Sequence, residues 1–129
     1  MRLGILAVLA GVMLMWGCSS PNREEMAALA AEGYYRHLLR GEYDAFMQGK
    51  AGLDSMPEDY RNQMRMAYRQ FMTQQEESHR GVSDVRISNS RTDSALQCVN
   101  VCLVLCFGDS TNEEVVVPMV ERNGSFRMK

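Results

Sequence analysis

The spacing of apolar residues changes character twice along the chain, near Asn22 and at Gly81. Before Asn22 there is a single apolar block, Leu3 to Met15, with Met1-Arg2 ahead of it and Trp16-Gly17-Cys18-Ser19-Ser20 behind. The block is shorter than the roughly 20 residues a spanning helix needs. Its positive start, apolar core and small-residue exit are those of an export signal. From Asn22 onward Met26, Leu29, Ala30, Gly33, Tyr34, His37 and Leu38 recur at three and four. This predicts a helix capped by Asn22, with those residues on its buried face and a stop at Arg40-Gly41. Glu42 to Gln48 reads as a short second helix closed by Gly49 and Gly52. Ser55-Met56-Pro57-Glu58 has the spacing of a capping box, which predicts that Ser55 caps a long third helix. Tyr60, Met64, Ala67, Tyr68 and Phe71 line one side of that helix, Arg61, Arg65 and Arg69 another, and His79-Arg80-Gly81 ends it.

Beyond Gly81 the period is two. Val82 to Arg91 reads as a half-exposed strand and Thr92-Asp93-Ser94 as a turn. Ala95 to Phe107 is apolar at both odd and even positions, which predicts a central strand covered on both faces. A polar loop, Gly108 to Glu114, leads to a strand from Val115 to Arg122, where Pro118 argues for an edge or a bulge. Asn123-Gly124 is suited to a two-residue hairpin into Ser125 to Lys129.

Composition narrows the partners rather than the fold. Without the first 17 of its 129 residues the chain keeps 112, enough for one domain and too few for two. Arg2 leaves with the signal, so 13 basic side chains face 16 acidic ones with the signs interspersed. Such a surface has no electrostatic footprint for nucleic acid. Nor does the sequence imply a cofactor or a metal.

Gly17-Cys18 at the end of the apolar block resembles the lipobox of bacterial lipoproteins, with Met15 and Trp16 where a Leu and a small residue are usual. The resemblance implies cleavage before Cys18, acylation of Cys18 and a membrane-anchored mature protein. The chain then divides into a signal at 1–17, a lipidated tether at 18–22 and a single α+β domain at 23–129. Ser19 and Ser20 carry no acid, which by analogy points to the outer membrane of a Gram-negative envelope.

Three helices followed by a four-stranded meander resemble the cone-shaped α+β fold of the nuclear transport factor 2 superfamily, with a cystatin-like domain as the alternative. Gly41-Glu42-Tyr43-Asp44-Ala45-Phe46 and Asn123-Gly124-Ser125-Phe126-Arg127-Met128 are similar to the corner and closing hairpin of small envelope lipoproteins of unknown function. The superfamily resemblance implies a cavity between the sheet and the helices. Tyr34, His37 and Asp44 are the candidates for catalysis in it, with Tyr35 as a further polar side chain, and Tyr60 and Asn100 for its lining. Core packing explains Tyr34 and His37 as well, since both lie on the expected apolar face.

Cys98, Cys102 and Cys106 alternate on one face of the expected central strand. Strand residues four apart lie about 13 Å from each other, while a disulfide needs Cα atoms within roughly 7 Å. One zinc ion could not gather all three either. They are expected to be small buried apolar side chains. Asp54-Ser55, Asp93-Ser94 and Asp109-Ser110 resemble the acceptor sequence for O-glycosylation in some Gram-negative envelopes, which would place sugars on Ser55, Ser94 and Ser110. Turn and cap chemistry explains the same pairs. The function expected is a lipid-anchored, non-enzymatic domain that binds an envelope protein or a small ligand; the alternative is a small isomerase or dehydratase.

Overall fold

The computed structural model describes residues 22–129; the expected export signal, Cys18 and most of the expected tether lie outside them. Helix α1 (Arg23–Leu39) is followed by the short α2 (Tyr43–Met47), a 3₁₀ turn (Leu53–Ser55) and the long α3 (Glu58–His79). Strands β1 (Val82–Asp93), β2 (Cys98–Phe107), β3 (Asn112–Arg122) and β4 (Ser125–Met128) come next. The strands form one antiparallel sheet in the order β1-β2-β3-β4. The expected α+β meander is therefore the fold. Among the described residues no helix is long and apolar enough to cross a membrane.

Asn22 caps α1 as its type predicts, its side chain accepting from the Glu25 amide at 2.8 Å. The buried face of α1 differs from the expected one. Ala27, Ala28, Ala31 and Leu38 are buried, with Tyr34 and Tyr35 half-buried beside them, whereas Met26 and Leu29 are exposed. The two tyrosines are the largest side chains on the helix, and turning them inward brings the alanines four and eight residues upstream onto the sheet. Small side chains there let the helix lie close to the strands. Ser55 does not cap α3: it lies in the 3₁₀ turn, and the N-cap is Pro57, which makes no side-chain bond. Pro57 sits where a missing N–H costs a helix nothing.

The odd residues of β2, Val99 to Phe107, are buried against the helices together with Val85, Val117, Met119, Phe46, Met47 and Phe126. Its even residues Asn100, Cys102, Val104 and Cys106 are only half-buried. The expectation of two covered faces is thus corrected. The helices all lie on one side, and the far face is left partly open. Cys98 is buried, while Cys102 and Cys106 share the open face.

At the far end of the sheet α3 is clasped to the β2–β3 turn. His79 stacks on Phe107, ring centroids 4.4 Å apart, and its Nδ1 lies 2.9 Å from Asp109 Oδ2. The Asp109 amide donates to the His79 carbonyl and the Gly108 amide to the Gly81 carbonyl, both at 3.0 Å. A Cβ on Gly108 would lie 2.5 Å from the Arg80 carbonyl oxygen, so this close approach requires glycine. The Thr111 hydroxyl, then the His79 ring and the Thr111 amide, hold the Asp109 carboxyl down to about 2. That lies below the roughly 3.9 of an unfolded aspartate. The clasp therefore stabilises the fold above about pH 4 and is lost as pH falls toward 2. Urea midpoints of Asp109→Asn are expected below those of the parent at pH 7, with the two converging at pH 2. A constant gap between the two would show that Asp109 contributes nothing through its charge.

Candidate functional site

Among the described residues the inner face of the sheet is lined by packed apolar side chains. Leu103, Leu105, Phe46, Phe107, Met47 and Met119 fill the space between sheet and helices, and among the described residues no polar or charged side chain is buried there. The candidate catalytic residues do not converge. Tyr34 donates its hydroxyl to the Phe126 carbonyl at 2.9 Å, and its ring packs on Gly49, where a Cβ would lie 2.6 Å from the ring. His37 pairs at 3.0 Å with Glu42 just beyond the end of α1. Asp44 pairs at 2.7 Å with Arg65 of α3. Each has a structural partner of its own, and none of the three lines the surface clefts.

Asn100 is on the half-open far face of β2, where its amide oxygen is 3.7 Å from Cys98 Sγ, and so it faces no inner cavity. Ser55, Ser94 and Ser110 are all exposed in turns. Asp93 and Asp109 use their carboxylates locally, accepting from the Leu96 and Thr111 amides. Among the described residues no three His, Cys, Asp or Glu side chains are placed to hold a metal ion. The arginine row of α3 is largely engaged: Arg65 binds Asp44, and Arg69 lies over the Tyr43 ring at 5.8 Å.

What the fold does assemble is a row of aromatic side chains from three helices. Tyr35 of α1 meets Phe46 of α2 edge to face at 5.4 Å, and Phe46 meets Tyr68 of α3 at 4.8 Å. Burial raises the phenol pKa of Tyr35, with Tyr68 adding to the effect. Burial likewise raises that of Tyr68, with Tyr60 adding to it. Both phenols therefore stay protonated and can donate at any physiological pH. Tyr60 stands exposed at the outer end of the row.

Tyr35 and Tyr68 form one wall of a cleft of about 170 Å³ whose other wall is Val116, Val117 and Pro118 of β3 with Met128 and Lys129. Lys50 completes the lining, its Nζ donating to the Lys129 carbonyl at 2.7 Å. The cleft brings together two tyrosines, two lysines and the apolar side chains of β3 and Met128. These groups suit binding. The segment after α2 holds this arrangement in place by pairing with β4: the Met128 amide donates to Gly49 and the Ala51 amide to Met128. Sequence pattern singled out Tyr35, Tyr60 and Tyr68 but could not bring them together with Lys50 and β3.

A second cleft, about 310 Å³, lies between residues 48–55 and the β3–β4 hairpin, with Arg122 and Arg127 among its lining residues. It is larger, but Arg127 is already committed to the Gln48 carbonyl at 2.6 Å, and no aromatic ring faces it.

No family model matches the sequence, and neither does any curated protein. Among solved structures, that of a candidate NTF2-like transpeptidase from Campylobacter jejuni is similar to this chain at a TM-score of 0.61 and 11% sequence identity. The match covers 76% of this chain and 92% of that one. At that identity the likeness shows the fold alone: this domain has an NTF2-like fold, the cone-shaped helix-and-sheet architecture its element order resembles.

Proposed function

We propose that the chain is a lipid-anchored protein of the cell envelope whose NTF2-like domain binds a partner at the Tyr35–Tyr68 cleft and performs no chemistry of its own. The observation that carries this is the filled interior beside an open, phenol-lined groove on the surface. A cone whose cavity is plugged by Leu, Phe and Met leaves a substrate nowhere to be shielded from water. Aromatic side chains beside orienting polar groups are common in recognition sites.

The anchor sets where that groove works. Asn22 is the fourth residue after Cys18, a reach of about 14 Å at full extension. Helix α1 begins at Arg23, and its exposed Met26 and Leu29 lie within its first two turns. Acyl chains together hold a protein to a bilayer persistently. The partner is accordingly another component of the membrane surface. A small ligand carried past that surface would use the same phenols.

Transpeptidation, the activity in the name of the Campylobacter protein, is not favoured for this chain. It requires an activated nucleophile. Burial and the nearby Glu114 raise the Cys102 thiol instead of lowering it. Both histidines of the chain lie at helix ends, paired with Glu42 and Asp109.

A photo-crosslinking amino acid at position 68, in cells, tests the reading against the same group at position 66, which is exposed on the same helix. Adducts formed at 68, absent at 66 and lost in the Cys18→Ala background are expected. Equal labelling at both positions, or none at 68, would overturn the cleft as the binding surface.

A further inference from the structure

We infer that the cleft recognises an extended, basic peptide segment, which adds as a strand to the open half of the β3 edge. This rests on the binding role proposed above and names both the mode and the chemistry of the partner.

The sheet protects its other edges. β1 carries two bulges, and its outer groups are taken by α1: Arg36 donates to the Val85 carbonyl at 3.2 Å and the Thr92 amide to Glu24 at 3.2 Å. The edge of β4 is paired with residues 49–51. Bulges, side-chain caps and covering segments are the usual means of blunting an edge. β3 is different. β4 covers only Met119–Arg122, and the Lys129 amide reaches the Pro118 carbonyl at 2.9 Å. Among the described residues no strand pairs with Asn112–Val117 on that side.

The direction of the free groups follows from the same bond. The Pro118 carbonyl points away from β2, so Asn100 and Pro118 form a non-hydrogen-bonded pair. In an antiparallel ladder such pairs recur every second residue. Val116 and Glu114 therefore also direct their N–H and C=O groups outward, offering up to four main-chain bonds beside the cleft. Val116 is 58% exposed, and Val115, Val116 and Val117 form a β-branched run. An unpaired edge of this kind is a template for strand addition.

Charge selects the occupant. Glu113 and Glu114 are exposed, and among the described residues neither has an ion-pair partner. A second copy pairing antiparallel through its own β3 would have to avoid β4 and so centre near Glu114. That places glutamates across from glutamates, which is destabilising. A segment with basic side chains on the Glu114 side and apolar ones on the Tyr35, Tyr68 and Met128 side meets both faces.

The probe is an acetylated, amidated hexapeptide of alternating lysine and valine. It is added to the full chain purified from membranes in a neutral detergent, and hydrogen exchange is read by mass spectrometry. Slowed exchange within residues 112–118 is expected. Three changes should each weaken binding: Val116→Pro, which removes one outward donor at an edge that tolerates proline, N-methylation of the peptide backbone, and glutamate in place of the peptide's lysines. The first two remove main-chain bonds and should each cost about fivefold to tenfold. The N-methylated peptide leaves the protein unaltered, so its result stands even if the proline variant unfolds. Protection of the Tyr35 and Tyr68 segments without residues 112–118 would overturn strand addition while leaving the cleft in place. Unchanged affinity for the N-methylated peptide, or no protection anywhere, would overturn it as well.

Discussion

Replacing Leu103 by alanine is expected to destabilise the domain by about 3 kcal/mol, measured from urea or guanidinium denaturation. Leu103 is fully buried at the centre of the inner face, among the side chains that fill the interior. Truncation there removes both transfer free energy and packing that neighbours held by the sheet cannot restore. Since a domain of this size has only about 5–15 kcal/mol in total, the loss is a large fraction of its stability. The adjacent Val104→Ala, on the half-open face, is expected to cost under about 1 kcal/mol, because its methyl groups are already partly in water. Equal losses at the two positions would mean that both faces of β2 are packed alike, and the one-sided arrangement of helices would be wrong.

The second large effect concerns location. Cys18→Ala is expected to move most of the protein from the membrane pellet to the soluble fraction of lysed cells. On the proposed anchoring, removing Cys18 takes away the acyl chains, each buried CH₂ of which is worth about 0.8 kcal/mol. Among the described residues no helix is long and apolar enough to cross a membrane, and the charges are mixed. Retention of the variant in pellets washed with high salt would show that the attachment is not made through Cys18. The variant should keep the same denaturation midpoint, since the core is built from residues 27–128.

The element order of this protein is legible in its residues because each element carries its own local signal. The Asn22 cap, the Gly81 stop, the period-two strands and the Asn123-Gly124 turn all act over a few neighbours. Which face each element buries is a tertiary decision, and there the pattern fails in specific places. The face of α1 is set by two tyrosines that turn inward and bring Ala27 and Ala31 with them, which a count of Met and Leu does not anticipate. β2 is apolar at alternate positions on both faces, yet only one face has helices to cover it. Ser55 has the right spacing for a capping box, but the chain uses it in a 3₁₀ turn and begins α3 after Pro57 instead.

The candidate site was still less visible. Tyr35, Lys50, Tyr68 and Val116 meet only because α1 and α3 flank the same edge and because residues 49–51 pair with β4. No spacing in the sequence encodes that meeting. The openness of the β3 edge depends on β4 having four residues where β3 has eleven, a difference of strand length that periodicity does not resolve. Tyr34, His37 and Asp44 looked more chemical in sequence than in space. Each turned out to brace the fold through one partner, at Phe126, Glu42 and Arg65 respectively.

Hydrogen exchange of the protein on its native membranes, compared with the same protein purified in detergent, tests most directly whether this cleft is the working surface. Slower exchange on the membrane in the segments holding Tyr35, Tyr68 and residues 112–118, with β1 unchanged, is the predicted result. Identical exchange in the two states, or protection confined to β1, would contradict it.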